Sequence, residues 1–198
     1  MTAISHLYVT HLGRPREGIL KRVQDSVNSR MGIPCLILPP MENPRYAYDE
    51  RRSQYECRAL LERLKASYPG DGLGVLGVTQ VDLFVPVLKY VFGLSELGGR
   101  AAVISTHRLR PEFYGEGDNP GLLLDRLEKT AVHEVGHLLG LVHCRDPHCV
   151  MHASTLVEHT DSKLASLCPT CLELLKWELK GRSVRTFCSK MSKNSTAG

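Results

Sequence analysis

Residues 133–143 read HEVGHLLGLVH and place three histidines and one glutamate at fixed spacing. His133 and His137 are four residues apart, so on a helix they share one face and lie about 6 Å apart along the axis. Gly140 favours the end of this helix, because glycine readily adopts the positive φ angle that such ends use. The turn that follows can bring His143 to the same point. The segment therefore predicts a helix that ends in a metal site made of three imidazoles.

Three histidines beside a free carboxylate are typical of a catalytic zinc site. Zinc with three protein ligands keeps its fourth position open for water and lowers the pKa of that water to about 7. Glu134 follows the first ligand directly, so it can accept a proton from the water and later deliver it to a leaving amine. A structural zinc site closes its fourth position with Cys or His and needs no such carboxylate. The alternatives are a metal site without hydrolysis and a zinc site that has lost its activity.

Four of the seven cysteines form a second pattern directly after the histidines, with the spacing C-x4-C followed by C-x2-C. These residues are Cys144, Cys149, Cys168 and Cys171. Four thiolates suit a closed, tetrahedral structural zinc site. A redox-active CPTC pair and independent buried thiols are the alternatives. Since His143 and Cys144 are adjacent, we predict that the cysteine site holds the turn that carries His143.

The whole segment resembles the archaemetzincin family of metallopeptidases. HExxHxxGxxH is the metzincin motif, and the cysteine after the third histidine, the following C-x4-C-x-M and the later C-x-x-C narrow the resemblance. The resemblance implies two zinc ions per chain, one catalytic on the histidines and one structural on the cysteines. It also implies Glu134 as general acid and base, Met151 as the Met-turn beneath the catalytic zinc, and peptides or proteins as substrates.

The resemblance also implies an edge strand that pairs with extended substrate by β-augmentation. We expect either Leu88–Phe92 or Ala101–Thr106 to be that strand. The residue that stabilises the oxyanion beside zinc stays open, and the candidates are Tyr114, His107 and His152.

Hydrophobic periodicity predicts strands that alternate with helices, and hence an α/β (α+β) fold with a mixed sheet. The predicted strands are His6–Thr10, Ile33–Leu38, Leu73–Thr79 and Ala101–Thr106, with Pro86–Phe92 as an edge strand or an irregular crossing. The predicted helices are Pro15–Arg30, Arg51–Tyr68, Leu122–Leu139 and Leu164–Lys180, and residues 41–49 and 110–121 are predicted loops.

The resemblance extends this fold to a metzincin-like, mixed twisted sheet with two long helices, an active-site helix and a small zinc-stabilised C-terminal subdomain. We expect one catalytic domain over residues 1–180, divided into an upper subdomain of about 1–140 and a C-terminal subdomain of about 141–180. Residues 181–198 are expected to form a basic, flexible tail.

The charge of the chain argues against a nucleic-acid partner. The formal net charge of the 198 residues is +4, and residues 181–198 carry four basic residues and no acidic one. Residues 1–180 therefore hold 21 basic and 21 acidic residues. Only Arg145 and Lys163 lie among the four clustered cysteines, so no basic stripe follows that site. We expect no nucleic-acid partner.

The chain has no apolar run of the length that a signal peptide or a membrane span needs. We therefore expect no membrane partner, a cytoplasmic location and a monomer, with reduced thiols in that compartment. A zinc-binding regulatory or peptide-binding module, with an occluded or inactive HExxH site, is the alternative function.

The remaining histidines and cysteines are assigned no role in either site. His148, His152 and His159 flank the clustered cysteines, but four cysteines already complete a tetrahedral site, so these histidines are expected at the surface. Cys35 and Cys57 are expected to be buried thiols, and Cys188 a free one.

Overall fold

A computed structural model describes residues 6–14 and 17–194, with side chains up to Arg182. Its strands, in chain order, are β1 (Leu7–His11), β2 (Cys35–Ile37), β3 (Tyr48–Asp49), β4 (Gln54–Glu56), β5 (Gly74–Thr79), β6 (Leu83–Phe84), β7 (Gly93–Ser95) and β8 (Ala101–Ser105). Five strands form the main sheet in the order β2-β1-β5-β8-β7, and β3, β4 and β6 form a small second sheet. The first four strands of the main sheet are parallel, and β7 runs antiparallel at its edge.

The helices lie on both faces of the main sheet. They are α1 (Ile19–Met31), α2 (Cys57–Ser67), α3 (Pro120–Leu138), α4 (Val157–Ser162) and α5 (Pro169–Asn194). Alternate residues of the strands divide between two cores, as the two-residue period of a strand requires. Leu76 and Val78 of β5 pack with α1 and α3, whereas Val75 packs with α2. The predicted mixed α/β architecture with a twisted sheet and long helices is confirmed.

The predicted start of the second helix is wrong, because Gln54–Glu56 form β4 instead. This strand pairs with β3 on one side and with β6 on the other. The Gln54 side chain donates to a carboxylate oxygen of Asp82 at 2.9 Å, which adds a side-chain tie to the backbone pairing. The helical spacing of apolar residues therefore begins to apply only from Cys57.

The predicted bounds of the last helix are also wrong, since α5 begins at Pro169 and continues to Asn194. The residues before Pro169 use their backbone groups to contact the cysteine-rich turn instead. The amide of Leu164 donates to the carbonyl of His148, and the amide of Val150 donates to the carbonyl of Ser166. The flexible tail over 181–198 stays a prediction, and residues 195–198 lie outside the described residues.

The edge strand of the main sheet differs from both sequence-based candidates. Ala101–Ser105 is an inner strand, paired with β5 on one side and with β7 on the other. Leu88–Phe92 leads into the edge, and the strand itself is Gly93–Ser95. This strand has only three residues and begins with a glycine, so it produces no clear strand signal in the sequence.

Short elements interrupt the two predicted loops. Residues 41–49 contain a single 3-10 turn over Arg45–Ala47 and then β3, and residues 110–121 contain another turn over Pro111–Tyr114. Among the described residues, no helix combines the length and the apolar character that crossing a membrane requires.

Candidate active site and cysteine cluster

The helix α3 carries the first two histidines and ends as the glycine predicts. Gly140 has a φ of 106°, its amide donates to the carbonyl of His137, and the amide of Leu141 donates to the carbonyl of Gly136. This pair of hydrogen bonds is the Schellman arrangement that closes a helix C-terminus. The chain then reverses, and the turn places His143 beside the helix that it has just left.

The three histidines converge on one point. One ligand nitrogen from each of His133, His137 and His143 lies within 4.8 Å of the others. The Nε2 atoms of His133 and His137 are 3.1 Å apart, close to the roughly 3.3 Å that two nitrogens bound tetrahedrally at 2.0–2.1 Å would have. The residues therefore fit a zinc ion on the side that the Nε2 atoms face.

Backbone carbonyls fix which ring nitrogen carries the proton in two of the imidazoles, the buried His133 and the partly buried His137. The Nδ1 atom of His133 donates to the carbonyl of Val150 at 2.8 Å, and that of His137 donates to the carbonyl of Leu141 at 2.7 Å. A proton on Nδ1 leaves the Nε2 lone pair free for a metal. Burial lowers the pKa of all three imidazoles, that of His133 well below its usual value, so they are neutral at pH 7.

Glu134 is a buried carboxylate held by the edge strand of the sheet. The Ser95 hydroxyl on β7 donates to its Oε2 at 2.6 Å. Burial raises the pKa of Glu134 to about 7, whereas the hydrogen bond from Ser95 and the positive charge of Lys163 act in the opposite direction. A carboxyl group with a pKa near neutrality can both accept and return a proton, which is the property that general acid–base catalysis needs.

Gly93 on β7 explains how the edge strand approaches Glu134 so closely. A Cβ atom at this position would lie 2.8 Å from the Glu134 Cγ and 2.8 Å from the carbonyl oxygen of Val103. Only glycine leaves that space free. The weak strand signal of this segment is thus a consequence of its close contact with the glutamate.

Met151 packs beneath the helix that carries the histidines. It is fully buried, and a Cβ atom at Gly136 would overlap its sulfur atom, so the glycine of HEVGH makes room for the methionine. The carbonyl of Met151 accepts a hydrogen bond from the amide of Cys144 at 2.9 Å, which closes the turn between the two clusters. The role of Met151 as a Met-turn residue stays a prediction.

The four clustered cysteines also meet at one point. Their four sulfur atoms all lie within 4.8 Å of one another, and the sulfurs of Cys144 and Cys168 are 3.8 Å apart. Thiolates bound tetrahedrally to zinc at about 2.3 Å would be about 3.8 Å apart, so the residues fit this metal. A disulfide would need about 2.05 Å, and the six described cysteines are free thiols. The members are Cys144, Cys149, Cys168 and Cys171.

A cavity of about 690 Å³ runs beside the histidine cluster. One wall is the segment Leu88–Ser95 that ends in the edge strand, and the opposite wall is residues 153–156 after Met151. The Tyr90 hydroxyl donates to the carbonyl of Thr155 at 3.0 Å and so joins the two walls. Glu134 and all three clustered histidines line this cavity, so a ligand bound in it can reach them.

Sequence reasoning missed Ser95 and Lys163. Ser95 had no signal, because its role depends on a strand that pairs only in the folded chain. In the sequence, Lys163 was only one of two basic residues near the cysteines. In the structure, its side chain is buried and its ammonium donates to the carbonyl of His152 at 2.9 Å. Burial lowers the pKa of Lys163 to about 8, and the charge of Glu134 opposes that shift.

The other predicted residues lie outside both clusters. Within the described part of the chain, Tyr114, His107 and His152 do not line the cavity, so none of them is placed to contact an oxyanion there. His148 and His159 belong to neither metal-capable group. Cys35 and Cys57 are buried as expected, and burial raises the pKa of each thiol to about 12. Cys188 lies outside the described side chains.

The sequence model of peptidase family M54 matches residues 12–177. The chain belongs to this family. The archaemetzincin of Methanocaldococcus jannaschii is 39% identical over 176 residues, which cover 89% of this chain and 96% of that relative. The archaemetzincin of Pyrococcus furiosus is 38% identical over 187 residues, which cover 90% of this chain and 96% of that relative.

Solved structures agree with this assignment. The archaemetzincin of Methanopyrus kandleri matches with a TM-score of 0.78 and 34% identity, over 89% of this chain and 96% of that one. A zinc-dependent peptidase from Methanocorpusculum labreanum matches with a TM-score of 0.76 and 28% identity, over 85% of this chain and 99% of that one. The resemblance predicted from residues 133–171 is confirmed, and with it the prediction of a zinc metallopeptidase.

Proposed function

We propose that this M54 family member hydrolyses peptide bonds at the histidine cluster, with His133, His137 and His143 as zinc ligands and Glu134 as the general base and acid. The observation that carries the proposal is the convergence of three neutral imidazoles and one buried carboxylate on the wall of a single cavity. The Nε2 atoms of His133 and His137 lie 3.1 Å apart, and the carboxylate is held by Ser95 on the neighbouring strand.

The protein groups divide the work of hydrolysis between them. The three imidazoles would hold a zinc ion, which would supply a Lewis acid that polarises the substrate carbonyl and lowers the pKa of the attacking water. The Glu134 carboxylate takes the proton of that water and then passes it to the nitrogen of the leaving amine. The hydroxyl of Ser95 keeps Oε2 oriented during both transfers. Among the described strands, β7 lies at one end of the main sheet and pairs with β8, so its outer side is the one against which an extended substrate would pair.

The four cysteines form the second part of the proposal. They bind one structural zinc ion, which brings the total to two zinc ions per chain, and Met151 is the Met-turn residue. The buried sulfurs of Cys149 and Cys171 and the tetrahedral spacing support a closed site without an open coordination position. We also propose a C-terminal subdomain of about residues 141–180 that this zinc stabilises.

The compartment and the assembly complete the proposal. Thiols that bind metal must stay reduced, which fits a cytoplasmic location. We propose that the chain works as a monomer on peptide or protein substrates and without nucleic acid. The alternative, a module with an occluded HExxH site, is not favoured, because His143 is exposed and the cavity reaches Glu134.

The deciding experiment compares the wild type with Glu134→Ala in a native lysate. New peptide N-termini should appear with the wild type and be absent with the variant, because removal of a general base costs about 10²–10⁴ in rate. Native mass spectrometry should count two zinc ions in both proteins, and circular dichroism should show the same fold. If Glu134→Ala cuts as fast as the wild type, the proposed mechanism is wrong.

A further inference from the structure

One end of the cavity differs in chemistry from the rest. Most of the lining is apolar and includes Leu88, Leu94, Val142 and Leu156. The lining also includes the polar residues Thr130, Thr160 and Lys163, each at most 5% exposed, and Lys163 lies beside His133. A polar end in an apolar cavity fixes the orientation and the identity of a ligand.

Lys163 is unusual among the buried cations of this protein. Arg126 lies 2.7 Å from a carboxylate oxygen of Asp161, and Lys129 lies 2.7 Å from one of Asp125. Within residues 6–14 and 17–182, by contrast, no carboxylate oxygen lies within 4.0 Å of the Lys163 ammonium. Its hydrogen-bond partner is the neutral carbonyl of His152, and the Nδ1 atom of His133 lies 3.5 Å away.

A buried ammonium without a carboxylate partner costs stability that an ion pair would offset. A buried charged group that lines a cleft is a candidate functional residue. The Glu134 carboxylate acts on Lys163 only through its charge at longer range, and its hydrogen-bond donor is the Ser95 hydroxyl. A substrate that carries a carboxylate into this end of the cavity would complete the site.

We propose that Lys163 makes this end of the cavity a subsite for a substrate carboxylate, so that the enzyme prefers an acidic residue next to the bond that it cuts. The subsite lies beside His133, one of the three zinc ligands in the proposed function on which this inference rests. The carboxylate can belong to an Asp or Glu side chain or to a free C-terminus. Lys163 thereby determines specificity and takes no part in the proton transfers.

The test uses peptides that differ at a single position beside a known cleavage site, with Glu, Gln or Leu at that position and both ends blocked. A second set places a free C-terminal carboxylate there instead of the side chain, and so distinguishes the two sources. The value of kcat/KM should be about tenfold higher or more for the carboxylate peptides than for Gln, as charge-assisted hydrogen bonds allow. Equal values for Glu and Gln in the wild type overturn the inference.

Substitutions assign the preference to Lys163. Lys163→Met should abolish the preference, Lys163→Arg should keep it, and a preference that survives in Lys163→Met overturns the assignment. Lys129→Met is the matched control, because Lys129 is also buried but is paired with Asp125 and does not line the cavity, so the preference should persist. Native mass spectrometry counts zinc in each variant, so that an altered metal content is recognised.

A binding measurement separates this inference from the proposed function. Fluorescently labelled versions of the Glu and Gln peptides are titrated against Glu134→Gln, with and without Lys163→Met. Fluorescence anisotropy gives the affinity of each peptide for each variant. Tighter binding of the Glu peptide that disappears with Lys163→Met supports the subsite even if no peptide is cleaved by the wild type. Cleavage without any acidic preference, together with equal affinities, leaves the peptidase proposal standing and removes the subsite.

Discussion

The two metal-capable clusters start from adjacent residues, His143 and Cys144, yet they differ in nearly every physical respect. The histidine cluster offers three ligand atoms, lines a cavity and has one exposed member. The cysteine cluster offers four sulfur atoms, and two of its members are buried. Three ligands beside a cavity leave a position for substrate or water, whereas four ligands close the coordination sphere. The number of ligand atoms and their access to the cavity, rather than their position in the sequence, therefore distinguish the proposed catalytic site from the proposed structural site.

Val150 connects the two clusters physically. Its carbonyl accepts the hydrogen bond from Nδ1 of His133, and its amide donates to the carbonyl of Ser166 in the segment that leads to Cys168. The backbone of Val150 therefore helps to orient His133 and also holds the segment that leads to Cys168. Loss of the cysteine site should disturb the histidine site, whereas the reverse effect should be small.

The largest expected effect comes from Cys168→Ser. Loss of a structural metal belongs to the few changes that lower the free energy of unfolding by about 4 kcal/mol or more. The melting temperature should fall strongly, one zinc ion should disappear in native mass spectrometry, and activity should decline as His143 loses its support. A variant with normal stability and full activity would refute the view that the cysteine site supports the histidine site. Cys35→Ser, at a buried thiol outside both clusters, is the control.

A chelator should remove the metal from the two sites in a defined order. The histidine site is open to solvent at His143, so EDTA should remove its zinc first and abolish hydrolysis while the far-ultraviolet circular dichroism stays unchanged. The cysteine site should release its zinc later and with unfolding. Simultaneous loss of activity, both zinc ions and structure would mean that the two sites are a single cooperative unit. Activity, zinc content and circular dichroism are followed in the same titration.

Gly93→Ala tests the contact between the edge strand and the glutamate. The added Cβ would overlap Glu134 and the carbonyl of Val103, so the strand or the carboxylate must move. We expect kcat/KM to fall about 100-fold, since small displacements of catalytic groups cost this much, with both zinc ions retained. Gly117→Ala is the matched control, because a Cβ there meets no atom within 4 Å. An active Gly93→Ala enzyme would show that the glutamate tolerates displacement.

Ser95→Ala should have the smallest effect of the four. The variant loses the 2.6 Å hydrogen bond to Glu134, and a hydrogen bond to a charged group contributes about 1.5–3 kcal/mol. We expect kcat to fall about tenfold with little change in KM and no change in zinc content. Ser29→Ala removes a serine hydrogen bond on α1 and should leave the kinetics unaltered. An unchanged kcat in Ser95→Ala would show that burial alone orients the carboxylate.

Sequence reasoning reached the ligand sets because their spacing is local. Two histidines four residues apart share a helix face by geometry, and a glycine after them ends the helix by its backbone freedom. The same reasoning failed for the edge strand and for the start of α2. Gly93–Ser95 and Gln54–Glu56 are strands of three residues each, too short for a periodic signal, and they are stabilised by pairing with β8 in the first case and with β3 and β6 in the second.

The sequence by itself determined which residues are predicted to carry the chemistry, because the type and spacing of the imidazoles, the carboxylate and the thiols are typical of zinc sites. Only the tertiary structure decided how the carboxylate is held and what lies around it. Ser95 and Gly93 reach Glu134 across 39 and 41 residues of chain, and Lys163 reaches His133 across 30. Such contacts depend on sheet pairing and on the burial of charge, and neither produces a periodic pattern in the sequence.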